Sequence, residues 1–136
     1  QVVSLGALDM VNFGAPDTVP ERFAGRTLYR HNPSVTLMRT TATECREIGR
    51  RIAEQLNRAT GPVVLVIPLR GVSMIDAEGQ PFYDAEADRA LFRSLHEHAA
   101  SNVRIKELDQ HINDPAFAKA LADELTRQLS NALRPV

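Results

Sequence analysis

The sequence predicts an α/β domain, a layered Rossmann-like and mostly parallel sheet with flanking helices. Three observations carry that expectation. Val63-Val64-Leu65-Val66-Ile67 is continuously apolar and β-branched, as a strand buried on both faces must be. Segments of helical periodicity bracket it, with crossovers long enough to join parallel strands. Apolar runs also empty repeatedly into compact polar clusters, the place where open α/β sheets bind ligands, so one composite pocket is expected.

Taken in order, Val2-Val3-Ser4-Leu5 reads as a first strand and Thr27-Leu28-Tyr29-Arg30 as a second, short one. Thr41-Ala42-Thr43-Glu44 has the form of a capping box. Ile48, Ile52, Ala53 and Leu56 follow at helical spacing, which predicts a helix from about residue 43 to 58, stopped by Gly61-Pro62. After the central strand, Asp84 caps a helix carrying Ala87, Leu91, Phe92 and Leu95 on one stripe. Val103 to Leu108 alternates imperfectly, like a strand near an edge. Asp114-Pro115 opens a last helix with Pro at its first position and Phe117, Ala118, Leu121, Leu125 and Leu129 as its buried face. The expected order is β, β, α, β, α, β, α.

A chain of 136 residues suits one compact domain. Its opening already reads as a buried strand without a lead-in, so a C-terminal piece of a larger protein is expected. Net charge is -1, with Lys and Arg spread along helices rather than gathered, which argues against nucleic acid as partner. No apolar run approaches the roughly 20 residues that cross a bilayer, and no signal peptide pattern opens the chain, so a cytoplasmic location is expected. The lone Cys45 has no companion for a disulfide, metal or redox motif and reads as a buried inert thiol.

Candidate chemistry lies in the polar clusters. In Gly6 to Gly14, Asp9 and Asn12 are spaced to share one side of a helical turn, offering ligand contacts or simply a cap and a loop bond. His31 is either a general base or a structural histidine, and Pro33 holds Asn32 extended so that its amide points in a set direction. Thr36, Arg39, Thr40 and Thr41 sit at a helix start and form a candidate anion seat, the alternative being that Thr40 or Thr41 merely caps the helix and the arginine is solvated. Arg70, Gly71 and Ser73 follow the central strand, where a guanidinium fork, a close backbone approach and a hydroxyl suit a carboxylate or phosphate. The loop Asp76 to Asp84 either covers the pocket or is a solvated turn with Phe82 and Tyr83 inward. His111 and Asn113 remain candidates beside Asp114, which reads as a cap, while His96 and His98 read as structural. No phosphate-loop, dinucleotide, zinc-protease or serine-elbow pattern occurs, and no metal ligand set is expected.

The clusters Gly6 to Gly14, Val19-Pro20-Glu21-Arg22-Phe23, His31-Asn32-Pro33, Thr36-Leu37-Met38-Arg39-Thr40-Thr41 and His111-Ile112-Asn113-Asp114-Pro115, with Phe117 and Ala118, occur together and in order. That combination resembles the C-terminal part of the tomato mosaic virus resistance protein-like ATP-binding family, over nearly the whole chain. The resemblance implies a two-domain protein of roughly 400 residues, each half a Rossmann-like layer. It implies ATP as ligand, with its site mainly in the N-terminal half, and it says nothing of magnesium. It carries no established catalytic residue onto these clusters.

Three functions follow as expectations. The first is a ligand-binding domain of an ATP-binding protein, with Asp9, Asn12, Asn32, Arg39, Thr40, Arg70, Gly71 and Asn113 as ligand contacts. The second is an enzyme on a phosphorylated or carboxylated small molecule, with His31, His111 or Asp9 as its acid or base. The third is a protein-interaction module. Expected partners are a small anionic ligand or nucleotide, the N-terminal domain of the same protein and a second copy in a homodimer.

Overall fold

A computed structural model describes residues 1–132. Its elements run β1 (Val2–Val3), β2 (Met10–Phe13), β3 (Leu28–Asn32), β4 (Val35–Arg39), α1 (Ala42–Asn57), β5 (Val63–Pro68), α2 (Ala85–His98), β6 (Val103–Leu108) and α3 (Pro115–Ala132). Two 3-10 turns, Pro16–Thr18 and Glu21–Phe23, join β2 to β3.

The α/β class holds, but the strands divide into two sheets instead of one mostly parallel sheet. The first has the order β1-β5-β6 and is parallel throughout, with Val64 opposite Val2 on one side and Arg104 on the other. The second has the order β2-β4-β3 and is antiparallel, with Met38 between Val11 and Leu28. From sequence, β2 looks like a ligand loop and β4 like the approach to a helix. Short strands of mixed polarity owe their conformation to cross-strand partners more than to intrinsic propensity, and those partners lie far away along the chain.

Local signals act where they are expected. Thr41 and Glu44 form both halves of the capping box on α1, and the Asp84 carboxylate accepts from the Glu86 and Ala87 amides at the start of α2. Pro115 is the first residue of α3, where its missing N–H costs nothing.

The alternating directions of β5 explain why all six of its residues are buried. Val63, Leu65 and Ile67 face α1 and α2, joining Leu5, Cys45, Ala53, Leu91 and Leu95 in the main core. Val64 and Val66 face the other way, onto Phe117 of α3. Only the first part of α3 is so covered: Phe117 is buried, but Leu125 and Leu129 are exposed and Glu124 is buried instead. Glu124 accepts from Arg104 of β6 and from Arg127, so an ion-paired cluster takes the place expected for apolar packing. Among the described residues, no helix is long and apolar enough to cross a membrane.

Helices α1 and α2 meet at Gly49, where an added Cβ would lie 2.7 Å from the Leu91 carbonyl oxygen and 2.9 Å from Ser94 Cβ. The Ser94 hydroxyl donates to the Arg46 carbonyl at 2.6 Å across the same contact. Gly to Ala inside a helix ordinarily gains about 1 kcal/mol in propensity. Here the methyl would strike backbone, which cannot rotate away. Gly49→Ala should therefore destabilise by about 1–3 kcal/mol, read as a lower urea midpoint.

Candidate functional site

Beyond the carboxyl ends of β5 and β6 lies a cleft of about 810 Å³. Arg70, Tyr83, Asp88, Arg89, His111 and Asp114 stand on its walls, which include the first turn of α2 and the residue just before α3. The loops that follow the two strands are sewn together by backbone bonds, Leu69 N–H to Leu108 O at 2.9 Å, Arg70 N–H to Gln110 O at 3.1 Å and Ile112 N–H to Gly71 O at 3.1 Å.

Gly71 makes that junction possible, though by a different route from the close ligand approach expected of it. Its φ is +128°, and a Cβ there would lie 2.4 Å from the Asp76 carbonyl oxygen and 2.9 Å from the His111 ring. The approach that requires glycine is therefore to the protein itself. His111 is held on both sides, its Nε2 donating to the Ser73 carbonyl at 2.8 Å and its Nδ1 accepting from the Asn113 amide at 3.1 Å. Those partners assign the Nε2–H tautomer and leave neither nitrogen open for proton transfer. Asp114 accepts from the His111 amide with its side chain, while its carbonyl starts α3.

Arg39 is buried, its Nη2 donating to Asp88 Oδ1 at 2.6 Å and to Asp76 Oδ1 at 3.1 Å. Its Nε donates to the Phe82 carbonyl at 2.7 Å and its Nη1 to the Thr40 hydroxyl at 3.2 Å. Burial alone would lower its pKa, but the bond to Asp88 and the charges of Asp88 and Asp76 outweigh that and raise it. Thr40 is equally engaged, its hydroxyl donating to the Leu8 carbonyl at 2.9 Å. The anion seat expected before α1 is thus an internal hub whose anions are the protein's own carboxylates. Cys45 packs against it, buried, with its thiol pKa pushed up by desolvation.

Asp9 and Asn12 do not share a helical turn. Asn12 lies exposed on β2 opposite Leu37, while Asp9 is 1% exposed and accepts from the Ser73 hydroxyl at 2.7 Å. Its second oxygen, Oδ1, has no hydrogen-bond partner. Asn12 and His31 line a second, smaller groove of about 230 Å³, with Leu37, Ser73 and Met74. Asn32 uses its Oδ1 to accept from the Ser34 amide at 2.8 Å in the β3–β4 turn. Arg70 is exposed and forms a two-pronged pair with Asp109, at 2.7 and 2.8 Å.

The clusters therefore converge only in part. Arg70, Gly71 and His111 gather at the large cleft, Asn12 and His31 at the groove, and Asp9, Arg39 and Thr40 in the interior between them. Neither histidine bonds Asp9. Asp88 and Arg89 escape sequence reasoning, yet Asp88 leaves a trace. It lies on the apolar stripe of α2, beside Ala87 and Leu91, where a carboxylate has to find a buried partner.

Residues 1–129 match the uncharacterised protein family (UPF0261) C-terminal domain. This chain belongs to that family. A UPF0261 protein of Rhizobium meliloti is 58% identical over 121 residues, 88% of this chain and 30% of the relative. One from Clostridium tetani is 55% identical over 130 residues, 95% of this chain and 32% of that protein. The ToMV resistance protein Tm-1 of Solanum lycopersicum is 48% identical over 124 residues, 90% of this chain and 16% of its own length. This UPF0261 domain thus spans about a third or less of the relatives it matches.

Within the UPF0261 domain, Arg39 and Arg70 should behave oppositely on truncation. Arg39→Met leaves Asp76 and Asp88 buried without their cation and should cost about 3–5 kcal/mol in urea denaturation. Arg70→Ala removes an exposed pair and should leave the midpoint where it is.

Proposed function

We propose that this chain is a ligand-binding α/β domain of an ATP-binding protein and that it supplies one wall of the nucleotide site. The observation that supports this most is the position of the large cleft, at the carboxyl ends of parallel β5 and β6 and beside the starts of α2 and α3. Helix starts carry a positive dipole end suited to phosphate, although the Glu86 and Ala87 amides of α2 are already taken by the Asp84 carboxylate. Arg89 adds a cation that forms no ion pair among the described residues, whereas Arg70 is already paired with Asp109. ATP itself comes from the family resemblance in the sequence.

The wall also carries Glu78, Asp88 and Asp114. Carboxylates there repel a bare polyphosphate, so magnesium-bound nucleotide is the better electrostatic match. The remaining wall comes from the rest of the two-domain polypeptide. This reading needs no histidine base: His111 is spent on backbone partners, and His31 lies in the other groove.

Calorimetric titration of ATP into this chain and into the full-length protein tests the proposal. Heat of binding is expected only from the full-length protein, larger with magnesium than without, and Arg89→Ala should weaken it about tenfold. Binding by this chain alone would move the whole seat into the cleft at the ends of β5 and β6. Silence from both would overturn the proposal.

A further inference from the structure

The interior beside the cleft holds more negative groups than it can neutralise. Asp9, Asp76 and Asp88 are all buried, and among the described residues Arg39 is the only cation in an ion pair with any of them. Asp76 is 0% exposed, with Oδ1 on Arg39 Nη2 and Oδ2 accepting from the Val72 amide at 2.9 Å. Asp88 Oδ1 reaches the same Nη2, so two carboxylates crowd one nitrogen. With one Oδ1 of each on that nitrogen, at 3.1 and 2.6 Å, the two carboxylates are immediate neighbours. Asp9 is buried as well, and its Oδ1 has no hydrogen-bond partner.

The other elements packed around the pair bring no compensating charge. Helix α1 offers Cys45, which burial keeps as a thiol. The Asp84 carboxylate is occupied in capping α2. The β6–α3 loop brings His111, whose ring nitrogens both bond backbone, and Arg89 is exposed on the cleft wall and pairs with neither carboxylate. Two like charges on one buried site cannot both persist without a proton or a second cation.

We propose that Asp76 and Asp88 share one proton, and that its release to solvent past Asp88 at the cleft wall loosens the tie between Arg39 and loop 71–84. The tie is the set of Arg39 bonds to Asp76, the Phe82 carbonyl and Asp88, which fastens β4 to that loop and to α2. Release leaves two carboxylates on one guanidinium, so they repel and Asp76 becomes an unfavourable buried charge. Burial first, and the charges of Asp88 and Asp9 next, push the Asp76 pKa up to about 7, against the Val72 N–H and Arg39. Burial likewise raises Asp88. The sign follows from linkage. A group whose folded pKa is raised contributes stability that is complete below its ordinary value, 3.8, and is lost as pH climbs through about 7. The paired carboxylates Glu47 and Glu124, pulled down to about 2, change charge far below that window.

The test follows the full chain from about pH 5 to about pH 9 by carboxyl infrared absorption, urea denaturation and amide exchange. A protonated-carboxyl band should persist at neutral pH and vanish by about pH 9. The urea midpoint should fall as pH climbs from about 5 and level off once the band is gone, while the Val72 and Phe82 amides exchange at least several-fold faster. Asp76→Asn keeps a neutral partner for Asp88, so it should abolish the band and flatten the fall. No band at neutral pH overturns the shared proton. A band that vanishes with no change in midpoint or exchange overturns the latch. If the variant does not fold, the three wild-type measurements still decide.

Discussion

The architecture turns on one buried guanidinium. Arg39 ends β4 of the antiparallel sheet, yet its donors reach the loop after β5 and the first turn of α2, in the layer built on the parallel sheet. Its own amide bonds the Thr27 carbonyl, and the adjacent Thr40 amide bonds the Asp9 carbonyl, so the same two residues also fasten the start of the chain. Burying such a charge costs solvation that an apolar residue would not lose, so the gain lies in direction. A guanidinium with several fixed acceptors admits one relative placement of the elements around it.

That placement shapes the cleft. With loop 71–84 drawn onto β4, the chain after β5 turns sharply at Gly71, and Val72 and Phe82 enter the core. The two loops at the carboxyl end of the parallel sheet are then joined by backbone and by His111, which leaves a firm wall. A wall fixed by bonds among its own residues can hold a few exposed groups, Arg89 and Tyr83 among them, in one arrangement before any ligand arrives. Many conspicuous polar residues of the sequence are spent on making the wall and not on facing into the cleft.

Sequence and structure agree where the cause is local. The Thr41–Glu44 box, the Asp84 cap, Pro115 at the start of α3 and the two-faced burial of β5 all follow from residues within a few positions of one another. They part where the cause is distant. Leu125 and Leu129 continue the periodicity of α3 but have no cover among the described residues, while Glu124 is buried because β6 brings Arg104 to it. Asp9, Arg39 and Gly71 are conspicuous in sequence and look like ligand contacts. They are conspicuous because burying a charge or forcing a left-handed turn also demands a particular residue.

By itself the sequence determined the α/β class, the three helices with their starts, the central strand and the family. Each of these depends on periodicity, on caps whose partners are three or four residues away, or on a pattern read directly. Only the tertiary structure decided that the strands form two sheets, that Arg39 takes its anions from 37 and 49 residues further along, and that the histidines fall in separate places. An arginine before a helix reads alike whether it awaits a phosphate or a carboxylate of its own chain. The two differ only in which distant residue the fold carries to it, and long-range pairing of that kind leaves no periodic trace in sequence.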